Sequence, residues 1–581
     1  MKRHTSLLAC AALLAGCHGS TPCKTVRDCA NTQRCENGSC AEIGSTPGKI
    51  GESCRTSGDC SSGLICNSSE VGFPGGYCTA DCSANTCSVG ACTTVGTTDL
   101  CVAQCTDDSA CRKGYACCAT MNNVCVPAGA CTPAACSRLP VTSALAGSIS
   151  GSQVIELGTH KVGETLPFTV PPGTGSVTIV HQADIASLTV NLNGQDIDNS
   201  AVPLFVHMPD GGVAYDDNPQ PPISGSADAG VQYAKDYSFF GGGTPSTAAF
   251  TFPNTTASLD AGVPAGTWNF TVNDFASECL TTPRCTGGTD ANTYQMSVLL
   301  RPLPPGSNLD VAFYIVADMN TLSGQPFTAA NAPGDPSVQQ MLRTYKGLMG
   351  NSGSGINVRN VSFFDVTAAD RARFGTNISA TDTGPCSDLN QMFVLSGAHP
   401  GNTVNIFLAQ SLRFSAQGGG TIVGIDGTIP GPSTLNGTVH SGAVVSAADL
   451  FAPSLQNCAT GGFSIGACGP DRVAYIAAHE TGHFLGLFHT TEQNGSDFDP
   501  LADTGTCACV PCAGADQAAC ANDPGPNAPF LAADQCFQTG TGAVCTGGDN
   551  LMFWQLEPGV SRGTISPQQA QVMRLNPAVV P

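Results

Sequence analysis

Three histidines and one glutamate stand in the stretch His479-Glu480-Thr481-Gly482-His483-Phe484-Leu485-Gly486-Leu487-Phe488-His489, which reads H-E-x-x-H-x-x-G-x-x-H. On a helix, residues four apart share a face, so His479 and His483 can offer two imidazole nitrogens to one metal ion, with Glu480 beside them. A continuous helix cannot deliver His489, because six residues past His483 lies about 240° around the axis. Gly486 is the residue able to turn the chain there, since glycine adopts a left-handed conformation cheaply. Three protein ligands leave a fourth position for water, the arrangement of a catalytic zinc, and Glu480 is the base on that water. The chain holds 10 His and 68 Gly in 581 residues, so a chance match to this spacing is on the order of 10⁻⁵.

These residues need a helix and a framework behind it. Pro470-Asp471 makes a plausible first turn, and Val473 and Ile476 supply a buried face. Upstream, residues 310–316 read as a buried strand, 335–349 as a helix opened by Asp335-Pro336, 356–366 as a second strand and 403–408 as a third. Alternating strand and helix imply an α/β half-domain with the histidine helix packed on its sheet. Residues 437–445 read as an edge strand along which an extended substrate could add, with Thr438, Val439 and His440 as its candidate contacts. His440 is read as a polar strand residue rather than a ligand, because no metal-spaced partner sits near it in sequence.

Further upstream, a proline-rich hinge at residues 301–308 marks a boundary. Before it, from about residue 137, short alternating runs such as 176–180 and 187–192, separated by turn signals, predict an all-β sandwich. Residues 263–274 resemble a strand and turn of the jelly-roll domains attached to many secreted proteases. From Cys23 to Cys136 there are 19 cysteines in 114 residues, with C-x5-C-x5-C three times: Cys23/Cys29/Cys35, Cys54/Cys60/Cys66 and Cys105/Cys111/Cys117. So little aliphatic sequence cannot bury a core, and these repeats must be stapled by disulfides of undetermined connectivity. Zinc knuckles are the rival reading, weakened by the absence of His from this region.

The first residues agree with export. Lys2 and Arg3 precede an apolar stretch, and Leu14-Ala15-Gly16-Cys17 resembles the lipobox of bacterial lipoproteins, which implies lipidation at Cys17 after removal of residues 1–16. A conventional signal peptide is the alternative. The expected domains are therefore the leader at 1–16, cysteine-rich modules at 17–136, the sandwich at 137–302 and the histidine-bearing domain at 303–581. Thirty-two cysteines indicate an oxidising compartment. A net charge of −21 disfavours nucleic acid and anionic membrane surfaces as partners, since both need clustered Lys and Arg. The membrane is therefore met only through Cys17. The sequence leaves oligomeric state open.

After the histidines, Asp497, Asp499 and Asp503 lie within seven residues, a set that can serve calcium or form a solvated acidic loop. Cys507, Cys509 and Cys512 open a further cysteine-rich loop, read as disulfides. Then comes Asn550-Leu551-Met552. The histidine motif followed by a methionine turn resembles the metzincins, and within them the pappalysin group. That closer likeness rests on Asp499, Asp503-Thr504, Asn550 with Met552, and residues 565–574, and spans about residues 303–581. It implies an α+β catalytic domain and zinc on His479, His483 and His489. It further implies Glu480 as base, Met552 as a hydrophobic floor under the metal, Asp499 and Asp503 as calcium ligands, and protein or peptide substrates. Trp554 stands where the family usually has tyrosine, so no phenolic oxygen can approach the metal there. The expected function is a secreted or lipid-anchored zinc endopeptidase. The alternative is an adhesive surface protein with an impaired protease domain. Residues upstream of Leu309 could also form a removable propeptide.

Overall fold

The structure is a computed structural model. It describes most of residues 33–127, then 151–183, 189–216 apart from 193–194 and 200, 247–281, 286–380, 387–413, 423–459, 463–492, 498–506 and 546–581. Residues 1–16, Cys17, Cys23, Cys29, Asp497 and the cysteines from 507 to 545 lie outside the described residues. The chain divides into two compact units, Met1–Ala134 and Ala135–Pro581.

The first unit is a series of two-stranded antiparallel hairpins joined by disulfides. Cys54 pairs with Cys66 and Cys60 with Cys78, and the same first-to-third, second-to-fourth order recurs as Cys105–Cys117 with Cys111–Cys125. A copy with shorter spacing, Cys82–Cys92 with Cys87–Cys101, stands between them. These bonds settle the connectivity for the twelve cysteines and exclude zinc knuckles there. Each closes a loop of 10 to 18 residues, a constraint on the unfolded chain of about 3 kcal/mol apiece. A small core supports them: Tyr77 stacks on Tyr115 at 5.3 Å, and the Arg112 guanidinium lies 4.6 Å from the Tyr115 ring while donating to the Gly51 and Gly76 carbonyls.

The second unit begins with a sandwich of two four-stranded antiparallel sheets. One runs Thr165–Val170, Gly266–Asp274, Ala201–His207, Val213–Asp216, and the other Thr247–Phe252, Thr174–Ala183, Thr293–Pro302, Gln153–Lys161. Alternation works as the sequence predicts. Val177, Ile179, Phe250, Phe252, Trp268 and Phe270 face the sandwich core, while Thr178 and Thr251 on the opposite face, also buried, pair their hydroxyls at 3.0 Å.

Behind the sandwich lies a mixed sheet. Its strands are β1 (Asn308–Ile315), β2 (Asn357–Asp365), β3 (Val404–Ala409), β4 (Gly424–Asp426), β5 (Ala443–Ser446) and β6 (Val579–Val580), in the order β2-β1-β3-β5-β4 with β6 beside the start of β1. The first four in that order are mutually parallel, and β4 is antiparallel to β5. Both faces of β1 are buried, Val311, Phe313 and Ile315 on one side and Ala312 and Tyr314 on the other, which is why residues 310–316 read as an unbroken apolar run. Helix α1 (Pro336–Asn351) is capped by Asp335, whose carboxylate accepts from Ser337 N and Val338 N. Helix α2 (Gly469–Phe484) packs on α1 and the sheet, and α3 (Pro567–Leu575) closes the chain.

The expected edge strand is corrected. The edge is β4, which the sequence reading left unassigned, whereas β5 lies inside the sheet between β3 and β4. Thr438, Val439 and His440 sit in a buried turn before β5. The reason is local: Gly437 takes φ +77°, and the Thr438 and Ser441 hydroxyls bond each other instead of leaving the backbone free to pair in a ladder.

Candidate metal centre

Helix α2 holds the first two histidines because its other face is anchored. Asp471 accepts from Gln340 and Thr344 of α1 and from Ser464 N, and Cys458–Cys468 staples the chain just ahead of the helix. Tyr345 of α1 meets Thr481 at 2.9 Å. The helix ends at Phe484 with a left-handed Gly486 at φ +105°; Gly486 N donates to His483 O and Leu487 N to Gly482 O. That turn returns His489 to the site.

The three imidazoles converge through their Nε2 atoms. His483 lies 3.0 Å from His479 and 3.1 Å from His489, and His479 to His489 is 3.2 Å. Each outer nitrogen is occupied: His479 Nδ1 donates to Leu551 O at 2.6 Å, His483 Nδ1 to Leu487 O at 2.7 Å, and His489 Nδ1 faces the Glu492 carboxylate at 2.9 Å. With Nδ1 carrying the proton, Nε2 of His479 and of His483 points its lone pair inward. Burial pushes His479 down to about 3 and holds His483 well below its usual range, with neighbouring imidazoles as the second cause. Lone pairs this close repel unless a cation sits among them, so the donor set fits a metal ion.

Glu480 stands beside the triad, about 5% exposed. Burial raises its carboxyl well above the ordinary range, and the Asp426 main-chain N–H opposes that shift. Strand β4 presses directly on it: a Cβ on Gly424 would lie 2.3 Å from Glu480 Oε1. Only glycine allows this approach. Asp426 is fully buried; burial followed by the Glu480 charge raises its carboxyl strongly, with the Gly427 main-chain N–H opposing the shift.

Met552 is buried beneath the helix, where a Cβ on Gly482 would meet its sulfur at 2.4 Å. Its turn is tied to the site on several sides. Leu551 O holds His479, Met552 O accepts from Thr490 N, and Asn550 Oδ1 accepts from Met552 N while Asn550 Nδ2 donates to Gln569 of α3. Trp554 is half-buried next in this segment. Sequence reasoning missed Gly424 and Asp426 as supports; a three-residue strand in a glycine-rich run leaves no periodic signal.

Asp499 and Asp503 both serve the fold. Asp503 accepts from Ser566 Oγ at 2.7 Å and Gln568 N at 2.8 Å, capping α3. Asp499 accepts from the Thr504 hydroxyl, and burial pushes its carboxyl up to about 7. Thr438 and Val439 lie away in their buried turn, and His440 faces the sandwich.

No family model matches this chain, and no curated protein matches it. Among solved structures it is similar to metalloproteinase-II from Bacteroides fragilis, at 11% identity and a TM-score of 0.17, over 40% of this chain and 58% of that one. The chain thus spans somewhat more than half the length of that structure, and the functional reading rests on the site itself.

Proposed function

We propose that this chain is an exported zinc-dependent endopeptidase of metzincin type, resembling the pappalysin group. The observation that carries the reading is the convergence of three outward-tethered histidines beside a buried glutamate under a sheet edge. Tetrahedral zinc with Zn–N near 2.0–2.1 Å places ligand nitrogens roughly 3.3 Å apart, close to the 3.0–3.2 Å spacing here. Zinc held there would supply Lewis-acid polarisation of a scissile carbonyl and acidify water in the cleft. Strand β4, last in the order of the described sheet and lying against Glu480, is where an extended peptide would add beside the base. Glu480 takes a proton from water and returns it to the leaving amine. Leu551 O and Leu487 O keep His479 and His483 in the right tautomer, and Met552 closes the floor against bulk water.

Export is supported by the seven described disulfides, which persist in oxidising compartments. No described helix is long and apolar enough to cross a membrane. Lipidation at Cys17 would tether the chain; an unmodified thiol there in the mature protein would count against it. The central test is Glu480→Gln, expected to retain one zinc per chain and lose about 10²–10⁴ in cleavage of a quenched peptide library. Undiminished cleavage would sink the mechanism, and zinc without turnover in the wild type would favour a binding role.

A further inference from the structure

At the other end of the histidine helix lies a cavity of about 870 Å³. It runs along one face of α1, where Ser337, Gln340, Thr344, Gly347 and Asn351 recur at helical spacing. From Pro336 to Asn351 that face is about 22 Å long. The opposite wall includes Gln456, Phe463, Pro470 and Arg562. Pro470 stands in the first turn of α2 and His479 more than two turns further on, about 13 Å along the axis. The cavity is therefore separate from the imidazole cluster.

The helix keeps this groove open at a cost. Gly347 sits in mid-helix, where glycine is about 1 kcal/mol worse than alanine, yet a Cβ there would meet nothing within 4 Å. Arg343, in turn, is oriented by hydrogen bonds that begin in α2. Fully buried Asp471 accepts from Gln340 Nε2 at 2.7 Å, which leaves Gln340 Oε1 to accept from Arg343 Nη2 at 2.7 Å. That bond takes one of the three guanidinium nitrogens. Arg343 and Arg562 both line the cavity, and none of its described lining residues is Asp or Glu. Asp471 lies behind the wall, its oxygens taken by Gln340, Thr344 and Ser464 N.

We propose that this cavity binds one amphipathic anion per chain, a medium-chain carboxylate whose head pairs with Arg343 and whose alkyl body lies on Leu322, Leu348 and Phe463. Its volume is typical of small-molecule sites, which join apolar walls to a few placed polar groups. Leu322, 49% exposed at the lining, would be covered by such a chain. The guanidinium supplies a charge-assisted hydrogen bond to the carboxylate. An extended peptide fits less well. A helix bonds its own main chain and offers no ladder, so the peptide's enclosed N–H and C=O groups would go unmet. An alkyl chain has no such groups. The site is independent of the peptidase reading, because none of the three histidines lines it.

Calorimetric titration of the full chain with sodium decanoate, kept below micelle formation, tests this. The wild type should bind one decanoate saturably, and should bind decyltrimethylammonium, a cation with the same chain, at least about 10-fold more weakly. Arg343→Gln should weaken decanoate binding about 10–100-fold, the worth of a hydrogen bond to a charged group. Gly347→Leu should abolish binding with Tm kept or raised, because leucine favours the helix and its Cβ enters open space. Absence of saturable binding, equal binding of the cation, or undiminished decanoate binding in either folded variant would overturn the proposal. An acidic hexapeptide that binds where decanoate does not would overturn it in favour of peptide docking.

Discussion

Gly424→Ala is a sharp perturbation of the site that leaves every metal-binding nitrogen in place. The added methyl would sit 2.3 Å from Glu480 Oε1, 2.7 Å from Ile476 Cγ2 and 2.8 Å from Glu480 Cδ. Comfortable contact needs about 3.5 Å, so roughly 1 Å of displacement must be shared between the strand and the carboxylate. Ile476 is buried in α2 and cannot withdraw, which leaves Glu480 or β4 to move. Overpacking of this kind costs about 1–3 kcal/mol. A 1 Å misplacement of a catalytic group costs about 10²-fold in rate. We therefore expect kcat on a quenched peptide to fall about 10²-fold, with zinc content by elemental analysis unchanged and a lowered Tm. In a Glu480→Gln background the same substitution should add little, because both act through one group. Wild-type kcat in Gly424→Ala, or full additivity of the two losses, would refute the placement of β4 against the base.

Two further substitutions probe the supports. Asn550→Ala removes the acceptor for Met552 N and the donor to Gln569; we expect zinc affinity, measured by chelator competition, to weaken about 10–100-fold. Asp503→Ala removes two hydrogen bonds at the start of α3. It should lower stability by about 1–2 kcal/mol in denaturant titration, equally with and without calcium; a loss seen only with calcium present would instead make Asp503 a calcium ligand.

Much of the site was legible because its spacing is local. His479, Glu480 and His483 occupy one helix, Gly486 must turn the chain, and Asp335-Pro336 announces α1 by the chemistry of caps. The alternation of residues 176–180 likewise follows from the two-residue period of a strand. The edge strand was not legible. Residues 437–445 carry more β-branched residues than 424–426, yet Gly437 and the Thr438–Ser441 hydroxyl pair turn the longer run aside.

By itself the sequence determined which atoms can bind a metal and which can carry a proton, since those depend on residue type and spacing within a few turns. It also determined that the cysteines must be paired, because too little apolar surface lies between them. Only the tertiary structure decided which cysteine joins which and which strand meets Glu480. It also decided that Leu551 and Leu487 orient the histidines, that Asp503 caps a helix 63 residues away, and that His440 is buried in a turn. These are contacts between segments distant in sequence, set by how packed surfaces fit together and not by any local period.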